Sequence, residues 1–266
     1  MSNALILKKI SLYFLILKLS AREARSGVAG LIVSGGQISL RLAIYSGMYR
    51  IALGPNSVEY SKGIWAIAIA QVIFTGERPQ LSLTIGNEIK DGRVSILLLR
   101  PIKYINQVFI SYIGRSVPIY LAVSIFSFMT ALFLTKDFPF SIVDLGFVLL
   151  VILSGIALSV LIEVVIGMTG FWTSDTSGMQ LFNQKSILLF GGIIIPFSLL
   201  PETLANIVRF TPWSIAVAQP GYLATHFTYT NFGVIFVSQL LWLSFFYFLC
   251  TILYSRGIKR LSVGGG

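Results

Sequence analysis

The chain has 266 residues, 55% of them hydrophobic and only 11% charged, with a mean hydropathy of +0.84; a soluble domain carries about 25% charged residues. Too few ionised side chains exist to cover a water-facing surface, a single cysteine (Cys250) excludes a disulfide scaffold, and the hydrophobicity excludes disorder. A polytopic, all-α membrane protein remains, in which the net charge of +10 reads as cations retained in cytoplasmic loops, not as a nucleic-acid surface.

The N-terminal stretch from Ala4 to Arg25 predicts an amphipathic helix. Lys8, Ser11, Leu15, Lys18, Arg22 and Arg25 recur at spacings of three and four and fall on one stripe, with apolar residues around the rest. A helix of that kind lies in the membrane interface with its cations toward anionic headgroups; a first span that snorkels its lysines is the alternative. Lys18 and the basic residues after it leave no cleavable signal peptide.

Six apolar segments follow, at about 31–53, 64–83, 109–134, 142–170, 181–199 and 232–254. Each approaches the ~20 residues that a helix needs to cross the hydrocarbon core. The runs are continuously apolar and do not alternate with period two, a pattern that favours helices over a β-barrel. Three regions result: an interfacial N-terminal piece (1–30), one transmembrane domain (31–254) and a cytoplasmic tail (255–266). Fifteen of the twenty Lys and Arg fall on the side of the two termini and four on the other, with Arg41 inside a span. That bias places both termini in the cytoplasm.

The connections differ in kind. Pro55 to Ser61 and Thr135 to Ser141 are ordinary outside turns. The cytoplasmic loop 84–107 is amphipathic: charged around Glu88 and Lys90, broken at Gly92, apolar from Val94 to Leu99, and stopped at Arg100 by Pro101. Such an element suits docking on a soluble partner, and equally suits lying on the membrane surface. Segment 196–230, marked by Pro196, Pro201, Pro212 and Pro220, is too apolar for a free loop. It predicts one or two short helices that re-enter the outer leaflet, packed against protein.

Chemistry is sparse. There is no phosphate loop of the form Gly, four residues, Gly-Lys-Ser/Thr. With one histidine (His226) and one cysteine, no clustered metal site forms, and the chain is expected to bind no cofactor. Two ionisable residues, Arg41 and Glu163, lie within the apolar segments, where each costs about 2.5–3.5 kcal/mol unpaired. Similar depths from the cytoplasmic side predict an interhelical ion pair, serving either as a structural clamp or as a proton or substrate site. Trp65, Phe74 and Phe190 are candidates for lining a substrate path.

The pattern Glu88-Ile89-x-x-Gly92 followed by Leu97-Leu98-Leu99-Arg100-Pro101-Ile102, between the second and third of six spans, resembles the permease subunits of ABC-2 type exporters. The nearer group is the short six-span permeases paired with a daunorubicin-resistance-like ATPase. Phe171-Trp172 after the fourth span, and Gly191-Gly192 running into Pro196, Pro201, Leu204 and Pro212, extend the similarity. The resemblance implies a bacterial inner-membrane protein that pairs with a second permease chain, identical or related. It also implies docking of two copies of a separate ATP-binding subunit, which carries ATP and Mg. Glu88, Gly92, Leu98, Leu99, Arg100 and Pro101 would then couple to that ATPase. Pro196, Pro201 and Pro212 would form the outer gate, and an amphipathic or hydrophobic substrate would be expelled by alternating access. An ion-coupled or facilitative transporter, and a membrane scaffold that transports nothing, are the rival readings.

Overall fold

The computed structural model describes residues 12–16, 18–20, 27–54, 57–76, 81–97, 104–138, 140–141, 144–173, 175–193 and 201–264. Every element among them is helical. In chain order these are α1 (Val28–Leu53), α2 (Val58–Gly76), α3 (Leu81–Lys90), α4 (Arg93–Leu97), α5 (Tyr104–Thr135) and α6 (Leu145–Met168), which runs on into a 3-10 turn at Thr169–Phe171. After it come α7 (Ser177–Phe190), α8 (Glu202–Arg209), a π-turn at Ser214–Ala218, α9 (Gln219–Thr225) and α10 (Tyr229–Gly264). Of the N-terminal helix expected at 4–25, residues 12–16 and 18–20 are helical, with Phe14, Leu15 and Leu19 exposed; the rest lies outside the described residues.

Among the described residues, three helices are long and apolar enough to cross a membrane: Tyr104–Thr135, Leu145–Phe171 and Tyr229–Arg260. They contain the third and sixth expected segments and most of the fourth. The first segment is a helix of 26 residues. The second, expected to reach Leu83, stops at Gly76, and Leu81 to Leu83 open a separate helix, α3. Residues 77–80 between them lie outside the described residues; Leu81 and Leu83 keep the local hydropathy high. The fifth helix begins four residues early, at Ser177, and ends at Phe190, before Gly191 and Gly192, the latter at φ 65°. Its 14 residues make about 21 Å, so α7 alone is shorter than the ~30 Å hydrocarbon core.

The packing centres on α6, whose neighbours are α10, α3, the π-turn and α9. The largest core joins Ile69 and Ile73 of α2, Leu158 and Ile162 of α6, Ile215 and Val217 of the π-turn, and Leu223 of α9. A second core holds Leu81, Ile85 and Ile89 of α3 and Val94 of α4 against Val160, Val164 and Met168 of α6. A third joins α1, α2 and α5 around Leu42, Trp65 and Ala131. At the end of the bundle opposite α3, the side chain of Ser57 caps α2 by accepting the Tyr60 N–H at 3.0 Å. There the Trp65 Nε1–H donates to the Asp137 carbonyl at 3.0 Å, and Ser61 donates to the Asp137 carboxylate at 3.0 Å. Those bonds staple α2 to the α5–α6 connection.

Candidate functional site

The loop expected at 84–107 is largely built structure. Leu81, Ile85 and Ile89 recur every four residues and so share one face of α3, and that face is buried. Helix contact is close: a Cβ added at Gly167 of α6 meets Ile85 at 2.6 Å, and one at Gly170 meets the Gly86 Cα at 3.1 Å. Gly92 makes the break between α3 and α4 at φ 71°, a backbone region that favours glycine. Beyond it α4 buries Val94 and leaves Ile96 exposed. Glu88 is half-buried, and its Oε2 accepts the hydroxyl of buried Tyr104 at 2.6 Å, tying α3 to the start of α5. Leu98, Leu99, Arg100 and Pro101 lie outside the described residues.

At the other end of α3 is a chain of buried polar groups. Glu163, 2% exposed on α6, accepts the backbone N–H of Ser82 at 3.2 Å through Oε2. Through Oε1 it accepts the side-chain amide of Asn183 on α7 at 2.8 Å. Asn183 in turn accepts the indole N–H of Trp213 at 2.7 Å through Oδ1. The first turn of a helix presents unpaired N–H groups and a partial positive charge, which suits a carboxylate. Among the described residues the Arg41–Glu163 ion pair is not formed: Arg41 is half-buried on α1, and both Glu163 oxygens are held by α3 and α7. Amide and backbone donors meet the need that depth along the helices assigned to the arginine. Depth along an axis says nothing of which way a helix face turns.

The same chain extends toward the proline-marked segment. Pro201 precedes α8, Pro212 is buried just before the π-turn, and Pro196 lies outside the described residues. A π-turn leaves a carbonyl without its helical donor. The carbonyl of Ile215 is served by the Gln239 side chain of α10, whose Nε2 also donates to the Val151 carbonyl, both at 3.1 Å. Ser154 donates to the Gln239 Oε1. Gln239 is fully buried and so binds α6, α10 and the π-turn at one point. Backbones touch nearby: a Cβ at Gly155 meets the Ala216 carbonyl oxygen at 2.4 Å, and one at Gly221 meets that of Ala66 at 2.3 Å.

The path candidates are placed differently. Trp65 is 1% exposed and packs edge-on against Phe138 and Phe140. Phe74 is partly buried against the main core. Phe190 is half-buried and tilted against Trp213 with ring centroids 5.9 Å apart. Sequence reasoning missed Ser82, Asn183, Trp213 and Gln239. Asn183 and Gln239 were nonetheless visible as amides inside apolar segments, where a polar side chain needs a partner from another helix.

Among the described residues no group of three His, Cys, Asp or Glu side chains is placed to hold a metal. The arrangement is one of hydrogen bonds between helices. It offers a buried linkage running from the α3 end, across α6 and α7, to the π-turn. A family model described as an ABC-2 family transporter protein matches residues 58–265. The chain belongs to the ABC-2 transporter family. It is therefore a multi-pass membrane protein and a membrane subunit of a transporter, of a kind that normally works with an ATP-binding subunit. Comparison with curated proteins gives no match. In this ABC-2 subunit, Glu88 bonds α3 to the start of α5, and Glu163 bonds the other end of α3 to α7.

Proposed function

We propose that this chain is the permease of an ATP-driven exporter in the bacterial inner membrane, with both termini cytoplasmic and six crossings completed by α1, α2 and α7. Two such chains, identical or related, pair through their membrane faces, and two copies of a separate subunit bind and hydrolyse ATP with Mg. This chain itself holds no nucleotide. The 84–107 region is the coupling element. Ile96 and the Leu98-Leu99-Arg100-Pro101 run meet the ATPase, Gly92 is the joint, and α3 carries the displacement inward. Segment 196–230 re-enters the outer leaflet and forms the gate, with Pro201 and Pro212 setting its turns.

The observation that carries this reading is the bonded path Ser82–Glu163–Asn183–Trp213. It fixes the coupling helix to α6 and α7 and ends one residue before the π-turn. Motion of α3 driven by closure of the ATPase dimer is thereby transmitted to the gate without a rearrangement of apolar side chains. The N-terminal helix, with its cations, rests on the inner leaflet beside α5; the Asn106 amide lies 3.4 Å from the Tyr13 hydroxyl.

The test is a pull-down of the ATPase with the tagged permease from membranes. A Leu98→Asp, Leu99→Asp double variant is expected to lose the ATPase while still being inserted at normal level. Retention of both ATPase and transport would refute the coupling assignment. Uphill transport by the purified chain on a proton or sodium gradient, with no ATPase present, would instead establish the ion-coupled alternative.

A further inference from the structure

A cavity of about 660 Å³ lies between the start of α1, α3, α4 and the first half of α5. Nothing in the coupling reading uses it. The volume falls in the range of sites that take drug-sized ligands, and its lining is two-sided. Along α5 the polar residues Tyr104, Gln107, Ser111 and Arg115 follow one another at spacings of three and four, so they form one stripe. Facing them are Leu31 of α1 and Leu81 and Ile85 of α3. Gln107 adds an independent sign of a ligand: its side-chain oxygen is buried with no hydrogen-bond partner. A buried acceptor without a donor is unfavourable, and a ligand hydroxyl or ammonium would supply the missing donor.

Depth identifies the class of that ligand. The hydrocarbon core takes about twenty residues of helix. Counting inward from Thr135, where α5 ends beside the Asp137 staple, brings the inner boundary to the level of Arg115 and Ser116. Helical side chains lean toward the N-terminus of their helix, which on α5 is the cytoplasmic end. The Arg115 guanidinium therefore belongs at the height of the inner-leaflet phosphates, and Gln107 lies about two turns further toward the cytoplasm. The Glu88 carboxylate also lines the cavity, and it repels a small soluble anion arriving from the cytosol. An anion that arrives within the bilayer, with its chains along Leu31 and Ile119, avoids that charge.

The geometry points to a binding site for an inner-leaflet phospholipid, whose phosphate is held by Arg115 and whose headgroup hydroxyl or ammonium satisfies Gln107. The assignment rests on the orientation given under the proposed function.

The experiment uses the full chain purified in mild detergent, loaded with phosphatidylglycerol or phosphatidylethanolamine, and examined by native mass spectrometry for retained lipid. Charge-assisted hydrogen bonds of about 1.5–3 kcal/mol set the expected size: Arg115→Gln should lower retention about tenfold, and Arg115→Lys should keep most of it. Gly30→Leu is a second variant that leaves the charge alone. Gly30 lines the cavity, and a Cβ there meets no heavy atom within 4 Å, so a side chain can be started at this position, and its bulk should also reduce retention. Inorganic phosphate should fail to displace the lipid, whereas a short-chain phosphatidylglycerol should succeed. Unchanged retention in both variants, or displacement by inorganic phosphate as effective as by lipid, overturns the assignment. ATPase co-purification is followed in the same preparations. Its absence in the parent chain would strike the permease reading and leave the lipid count standing on its own.

Discussion

Glu163 shows how a carboxylate is kept in a protein interior without a cation. Its two oxygens take N–H donors from two different helices, and the second donor, Asn183, is itself fixed by Trp213. Asn183 is therefore the member with two dependants. Asn183→Leu leaves the Glu163 Oε1 and the Trp213 indole without a partner, while Oε2 keeps the Ser82 N–H, at about 1–3 kcal/mol for each stranded group. Trp213→Phe strands only the Asn183 oxygen. Thermal unfolding in detergent should show roughly twice the loss for Asn183→Leu; equal losses would mean that the chain of bonds does not act as a unit. His226, between α9 and α10, gives a second prediction at this scale. Burial, and then the charge of Lys62, hold its pKa below the ordinary 6.5, against a smaller opposing effect from Glu59. Its ring stacks on Tyr222 with centroids 4.8 Å apart, and its Nδ1 lies 3.0 Å from the Thr225 hydroxyl. Because the folded pKa is depressed, the unfolded chain binds more protons between the two values. Stability is thus complete above about pH 6.5 and falls as the pH drops toward the folded value. His226→Gln should flatten a plot of melting temperature against pH between about 7 and 5. An unchanged slope would remove His226 from the account.

The helices differ in what made them legible. The third, fourth and sixth expected segments are unbroken apolar runs, and hydropathy alone delimits them to within a turn or two at most ends. α3 was read as part of a span and part of a loop because one window saw Leu81 and Leu83 while the next saw Glu88 and Lys90. The i, i+4, i+8 series Leu81, Ile85, Ile89 carries the helix, and a single hydropathy window that runs on from α2 hides it. Gly92 as the break was readable from the residue type, since a positive φ favours glycine. That Arg41 and Glu163 do not pair was not readable, because helix rotation is set by packing that no single helix encodes. The contacts that do set it include the glycine approaches. Gly221→Ala puts a methyl group 2.3 Å from the Ala66 carbonyl oxygen, and backbone cannot swing aside as a side chain can. α9 must move off α2, at about 1–3 kcal/mol. Gly36→Ala on α1 meets nothing within 4 Å and should stay within about 1 kcal/mol of the parent. Melting temperatures of the two variants in one detergent test this contrast; equal losses would mean that α9 does not rest on α2 as described.

For the whole molecule, the exposed surface argues as strongly as the core. Ile51, Phe133, Leu121, Leu241 and Phe248 are all more than 60% exposed, a density of bare apolar side chains that only a bilayer or a partner helix can cover. The share of the apolar window buried within the chain is 44% for α6 but 11% for α10. This makes α6 the axis on which the other helices are mounted, while α10 faces outward. What fixes the direction of that assembly is charge, since Lys and Arg near the ends of spans are retained on the cytoplasmic side. The proposed orientation puts the exposed Ser141, between α5 and α6, outside the cell, and the exposed Thr173, between α6 and α7, in the cytoplasm. Cys250 is 1% exposed, so the parent chain should give little background with a membrane-impermeant maleimide. In intact cells Ser141→Cys should be labelled and Thr173→Cys should not; permeabilisation should make the two equal. The reverse pattern would place α3 and α4 on the outer side, beyond the reach of any cytoplasmic ATPase. The Ser82–Glu163–Asn183–Trp213 bonds would then have to serve a purpose other than carrying force inward from a motor.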